Sequence, residues 1–213
     1  MKEIIQALIT FSEKEIAGNK LVRREKFEYE RQPVPVTLIS VQRELKRIEH
    51  SILDFYEISN GIEISWKAAD PEMLQHEMTG IVKLNPFSQV VKDWSGVVFF
   101  DNEPDDSPVR KFFPLDFFAD EAAVGFCTKE GWRNMLYLYQ FEGELIPLYV
   151  NFQSYLRLML LVKGCFYWQY LMIALIKKEE NEVSERIKKY LPALFSDFSF
   201  SGFEKLFSEV RIK

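Results

Sequence analysis

The stretch Leu53-Asp54-Phe55-Tyr56-Glu57-Ile58-Ser59-Asn60-Gly61-Ile62-Glu63-Ile64-Ser65-Trp66 changes its hydrophobic period partway through, and the rest of the chain is read outward from that change. Upstream, Leu45, Ile48, Ile52, Phe55, Tyr56 and Ile58 recur mostly at three- and four-residue steps, with Arg43, Lys46, Arg47, Glu49 and Asp54 between them. An apolar stripe with a charged outer face predicts an amphipathic helix. Downstream, Ile62, Ile64 and Trp66 alternate with Glu63, Ser65 and Lys67, which predicts a strand with one buried face. Asn60-Gly61 lies between the two. Glycine takes positive φ without steric cost and lets the last helical carbonyls find partners, so Gly61 reads as the C′ residue.

Towards the N-terminus, Ile4, Ile5, Leu8, Ile9 and Ile16 mark a helix over 1–17, ended by Gly18-Asn19. Residues 20–31 are highly charged and have room for a short strand. Pro33 and Pro35 forbid helix and make 32–36 a connector, after which Thr37 or Ser40 can cap a second helix running to Ser59.

Towards the C-terminus, Asp70-Pro71-Glu72 reads as an N-cap, a proline at N1 and an acidic first turn, opening a short helix to His76. A strand over 79–84 and a brief helical stretch near 86–94 follow. Gly96-Val97-Val98-Phe99-Phe100 is expected to be a buried strand, 115–121 to be irregular, and 122–127, 135–141 and 144–150 to be strands. Glu142-Gly143 reads as a two-residue hairpin turn. Asn151 or Ser154 caps a helix to Lys163, Gly164 interrupts it, and further helices run over 165–178, to Leu191 and over 203–210. Connections as short as Glu142-Gly143 cannot carry parallel crossovers. The fold class is therefore α+β: a mainly antiparallel central sheet with helices before and after it.

The chain has 213 residues, enough for one large domain or a domain with an appendage, and it is 47% hydrophobic, with 19 Phe. Its net charge of −5, from 27 basic and 32 acidic residues, argues against nucleic acid and favours a basic partner. Cys127 and Cys165 make no disulfide framework and read as buried thiols in a reducing cytoplasm. Residues 1–17 lack a signal-peptide layout, and Arg157, Lys163 and Gln169 break the apolar stretch 155–176, which is expected to be core helix and not a membrane span.

No pattern for a cofactor is present, and none is assigned. His50 and His76 supply no zinc ligand set. Cys127 with either histidine, or the carboxylates Asp116, Asp120 and Glu121, are the candidates for an enzyme; a core cysteine and turn-capping aspartates are the plainer readings. Phe112, Phe113, Phe117 and Phe118 read as core rather than as a stacking platform. The loop Asp101-Asn102-Glu103-Pro104-Asp105-Asp106 begins like a calcium loop, but it has Asp106 where glycine is required and Phe112 where glutamate is required. It is either solvated surface or a docking site for a basic partner. Trp132-Arg133 is a second recognition candidate, since both residue types are enriched at interface hot spots.

The order of these pieces resembles the SUKH superfamily, which contains yeast cell-wall assembly regulators and many bacterial immunity proteins. The helix ending Ser59-Asn60-Gly61, the segment Thr79-Gly80-Ile81-Val82-Lys83-Leu84, and Phe113-Pro114-Leu115-Asp116-Phe117-Phe118-Ala119-Asp120 with Val124-Gly125-Phe126 carry it. The closing 135–150 hairpin running into Phe152-Gln153-Ser154-Tyr155-Leu156 completes it. The resemblance implies a SUKH-like domain over 1–163, its core at about 36–163; residues 164–213 depart from the family pattern and read as a helical extension packed on that domain. It also implies a cytoplasmic, non-enzymatic immunity protein that blocks a toxin domain, such as a nuclease. Asp101, Glu103, Asp105, Asp106, Trp132 and Arg133 are its candidate partner-binding residues. The alternative is a regulatory scaffold that docks other proteins through its helical tail.

Overall fold

Among the described residues, seven strands lie side by side in the order in which the chain makes them. They are β1 (Val22–Tyr29), β2 (Ile62–Ala68), β3 (Thr79–Leu84), β4 (Phe112–Ala119), β5 (Ala122–Cys127), β6 (Leu136–Gln140) and β7 (Leu145–Pro147), and every neighbouring pair is antiparallel. The computed structural model describes residues 1–35, 48–129, 135–141 and 143–213. Within them are α1 (Lys2–Thr10), α2 (His50–Tyr56), α3 (Pro71–Gln75), α4 (Phe87–Val90), α5 (Phe152–Leu161), α6 (Gln169–Lys177), α7 (Glu182–Leu194) and α8 (Phe200–Val210). The fold is α+β, an antiparallel sheet flanked by helices.

Period-two alternation gives the sheet two buried faces. Ala122, Val124 and Phe126 of β5, with Leu136 and Leu138 of β6, join a main core shared with the helices. Ala123, Cys127, Tyr137 and Tyr139 face the other way, into a second cluster with Trp94, Val98, Val109 and Phe112. Every residue of β5 is buried, because both of its faces are covered. Leu171, Met172, Ile187, Leu191, Phe203 and Phe207, all beyond Gly164, lie in the main core with Ile64 and Trp66.

Trp66 fixes the centre of that core. Its register partner on β3 is Gly80, and a Cβ there would lie 2.1 Å from Trp66 Nε1. With no side chain opposite, the indole crosses over β3, donates from Nε1 to the Lys163 carbonyl at 2.7 Å and meets Phe195 edge-on at 5.0 Å. Lys163 and Gly164 take φ of +56° and +60°, turning the chain out of α5 and along β3. Ile81 N–H donates to Gly164 O at 2.8 Å and Phe166 N–H to Thr79 O at 2.9 Å, so 164–166 act as a short extra strand on β3.

That extra strand fits because β4 leaves β3 early, their register holding at Leu84 and Asp116. Asp116 sits fully buried in the divergence, accepting from Lys83 N–H at 3.1 Å and from the Tyr155 hydroxyl at 2.6 Å. The Tyr155 oxygen in turn accepts from Gln169 Nε2 at 2.9 Å. Burial pushes the Asp116 carboxyl up to about 7, against the pull of its Tyr155 and Lys83 hydrogen bonds.

Several local expectations are overturned. Glu49 is extended and caps α2, accepting from Ser51 N–H at 3.0 Å, so no single helix runs from Thr37 or Ser40 to Ser59. Thr37 and Ser40 themselves lie outside the described residues. The helix ends at Tyr56, and Gly61, at φ +137°, is not its C′ residue but a close-approach site, where a Cβ would lie 2.9 Å from Leu84 O. Of residues 115–121, expected to be irregular, 115–119 belong to β4; two register shifts around Asp116 break its alternation and hide the strand in the sequence. Tyr139 pairs with Leu145, so the β6–β7 connection is longer than the two residues expected. No described helix is long and apolar enough to cross a membrane.

Gly80→Ala should cost about 3 kcal/mol or more in urea unfolding, because its Cβ would overlap the Trp66 indole. Gly18→Ala, with nothing within 4 Å of the added atom, should stay within about 1 kcal/mol of the parent. Asp116 also sets a pH dependence. Its folded-state affinity for a proton exceeds the unfolded one, so its contribution is full below about pH 4 and is lost as pH rises through about 7. Unfolding of Asp116→Asn measured at about pH 5 and about pH 8 should show the variant gaining on the parent at the higher pH; an unchanged difference would contradict a buried, protonating Asp116.

Candidate functional site

Between α4 and β4 the chain leaves the sheet and folds over the second cluster. Asp93 starts the excursion as an Asx turn, its carboxylate accepting from the Ser95 N–H and hydroxyl at 2.9 Å each. Gly96, at φ +75°, then reverses the chain, donating its N–H to Phe99 O at 2.8 Å. The expected strand over 96–100 is therefore a turn. Trp94 and Val98 point inward, and Trp94 stacks on Phe117 of β4 with ring centroids 5.5 Å apart. Val97 and Phe100 point outward, 43% and 50% exposed.

The acidic loop follows directly and is organised by one cation. Arg110, in a 3-10 turn capped by the Ser107 hydroxyl, reaches back and donates to the carbonyls of Glu103 (2.6 and 2.9 Å), Pro104 (3.2 Å) and Asp101 (3.4 Å). Its guanidinium lies 5.2 Å from the Phe99 ring centroid and 3.9 Å from an Asp105 oxygen. Lys129 donates to the Asp106 carbonyl. Backbone carbonyls thus take most of the positive charge, while the side chains of Asp101, Asp105 and Asp106 stand exposed and Glu103 is half-buried. The result is a loop held in shape from beneath, with carboxylates on its outer side and Val97 and Phe100 beside it in sequence.

Other candidates from the sequence are separated. Trp132 and Arg133 lie outside the described residues. Cys127 is buried, its thiol donating to Pro108 O at 3.5 Å, and desolvation pushes its pKa up. His76 stacks on Tyr190 and hydrogen-bonds its hydroxyl at 3.0 Å, while His50 opens α2. Asp116 is in the sheet interior, Asp120 is in the β4–β5 turn and Glu121 accepts from the Tyr167 hydroxyl, so the three carboxylates do not form one constellation. Phe112 and Phe118 are core, and Phe117 and Phe113 pack on Trp94 and Phe126. Among the described residues no group of three or more His, Cys, Asp or Glu is placed to hold a metal ion.

No family model, curated protein or solved structure matches the chain.

Sequence reasoning missed the exposure of Val97 and Phe100 and the part played by Arg110. The first was open to detection: Asp93, Ser95 and Gly96 are turn residues immediately before the apolar run. The second was not, because a guanidinium six to nine residues from its carbonyl acceptors has no periodic signature.

Arg110→Ala should therefore release the loop. We expect amide exchange over 101–107 to quicken and proteolysis there to rise, with global stability falling by about 1–2 kcal/mol. A loop equally protected in the variant would show that Arg110 does not order it.

Proposed function

We propose that this chain is a non-enzymatic binding protein of the immunity type, which neutralises a toxin domain, such as a nuclease, by seating its acidic loop in a basic cleft. The observation that carries this reading is the Arg110 clamp, which spends its charge on backbone carbonyls and leaves the Asp101, Asp105 and Asp106 carboxylates outward. A pre-shaped loop loses little entropy on docking, and its outward charge speeds capture of a basic partner. Exposed Phe100 and Val97 supply the apolar anchors that such a surface needs at its centre. The net charge of −5 points the same way. The non-enzymatic part of the proposal is supported by the raised, buried Cys127 thiol and by the separation of Asp116 from Glu121. A scaffold docking through 164–213 has weaker support, since the apolar side chains of that segment are used in the main core.

The test is co-expression with the toxin-like product of a neighbouring gene, read as growth rescue and a stable complex. Asp105→Lys with Asp106→Lys should weaken that complex by about ten- to a hundredfold, mainly through slower association, and the loss should shrink at high salt. Phe100→Ala should act on dissociation instead. Unchanged affinity after charge reversal would remove the loop from the reading. Continued killing with no complex, both proteins being folded, would remove the immunity reading itself.

A further inference from the structure

A second feature lies at the opposite end of the β4–β5 hairpin from the acidic loop, where Ala119 pairs with Ala122 and Ala122 with Gln140. There Tyr167 and Tyr170 stand with ring centroids 6.0 Å apart and planes at 74°, two walls of a corner. They line a cavity of about 430 Å³ with Gln140, Asn181, Glu182 and Val183. Both rings are half-buried, so each keeps surface open to solvent.

The corner is rigidly built. Tyr167 is held at φ +62°, a conformation uncommon for a bulky residue and often retained at ligand clamps. Its hydroxyl donates to the Glu121 carboxylate, its ring meets Phe118 edge-on at 5.4 Å, and its carbonyl accepts from Tyr170 N–H at 3.0 Å. Asn181 Nδ2 donates to Tyr170 O at 3.1 Å, tying the start of α7 to the same corner.

Its chemistry favours a cation. Glu182 lines the cavity and Glu121 is bound to one of its walls. Nearby cations are engaged elsewhere: Arg186 binds Glu77 and the Phe166 carbonyl, and Lys188 binds Glu180. The N-terminus of α7 offers little to an anion, because Asn181 and Ser184 close a reciprocal capping box on it. Elsewhere in the molecule cations cover aromatic faces, as Lys188 covers Phe200 at 3.8 Å and Lys92 covers Trp94 at 4.0 Å. Among the described residues none lies over Tyr167 or Tyr170. Two half-buried, near-perpendicular tyrosine rings lining one cavity, with carboxylates beside them, attract an ammonium or guanidinium group through the ring quadrupole and through charge.

We propose that the Tyr167–Tyr170 corner is a seat for an organic cation, with Glu121 and Glu182 as its counter-charge. The same chemistry is offered by a lysine or arginine side chain of a protein and by a free quaternary ammonium. The site is independent of the acidic loop and of the immunity reading, so either can fail alone.

The full chain, titrated with tetramethylammonium and followed by backbone amide shifts, should show saturable changes confined to 121, 140, 167–170 and 181–183, with Kd on the order of millimolar. The neutral isostere neopentane is too insoluble, so choline is set against 3,3-dimethylbutan-1-ol, which should bind about tenfold more weakly. Tyr170→Ala should abolish the response and Tyr170→Phe should keep it. If Tyr170→Ala fails to fold, Glu182→Gln serves, weakening choline binding while leaving the alcohol unchanged. A peptide carrying trimethyl-lysine that binds at least about tenfold tighter than choline would assign the seat to a protein side chain; the reverse order would assign it to a free ammonium. Equal binding of choline and its neutral isostere, or no saturable shift with any cation, overturns the proposal.

Discussion

The Trp66 indole reaching across a bare Gly80 to the Lys163 carbonyl is the contact on which the rest of the arrangement depends. A tryptophan is buried at low cost only when its N–H finds an acceptor. Here the acceptor is supplied by a left-handed turn that ends α5, and that turn carries the next residues along β3. One hydrogen bond thus couples the first half of the sheet to the chain reversal that starts the last helices. Lys163 adds a second tie at the same point. Its ammonium pairs with Glu15 at 2.8 Å and Asp197 at 2.6 Å, joining the residues after α1 to those before α8.

The wedge between β3 and β4 follows from the same geometry. Once 164–166 occupy one end of the β3 edge, β4 can meet it only at the other, and the Asp116 carboxyl group takes over for a missing backbone acceptor at Lys83. A charged group would be expensive there. Tyr155 and Gln169 complete a buried polar chain around it, and the carboxyl's raised proton affinity is the remaining cost of desolvation.

The two surface features arise because the sheet needs covering on both faces. Helices cover one. The 91–111 excursion covers the other with Trp94, Val98 and Val109, and a segment that turns this tightly must leave some side chains outside; Val97 and Phe100 are those side chains. The tyrosine corner is likewise a by-product of the 162–168 crossover, whose left-handed Tyr167 is aimed back over the β4–β5 turn.

By itself the sequence determined the α+β class, the antiparallel pairing and several element ends, because these rest on local periodicity and capping. Asp70 accepting from Glu72 N–H ahead of Pro71, and Asn151 accepting from Ser154 N–H, are readable from neighbouring residues alone. It also determined which loop is acidic. Only the tertiary structure decided that 112–119 is a strand, that Gly61 serves close approach rather than capping, and that Arg110 shapes the acidic loop. Each has its own physical reason. Bulges erase the period of two, and a glycine's use depends on what lies opposite it. A guanidinium, for its part, chooses its acceptors by proximity in space, which spacing along the chain does not encode.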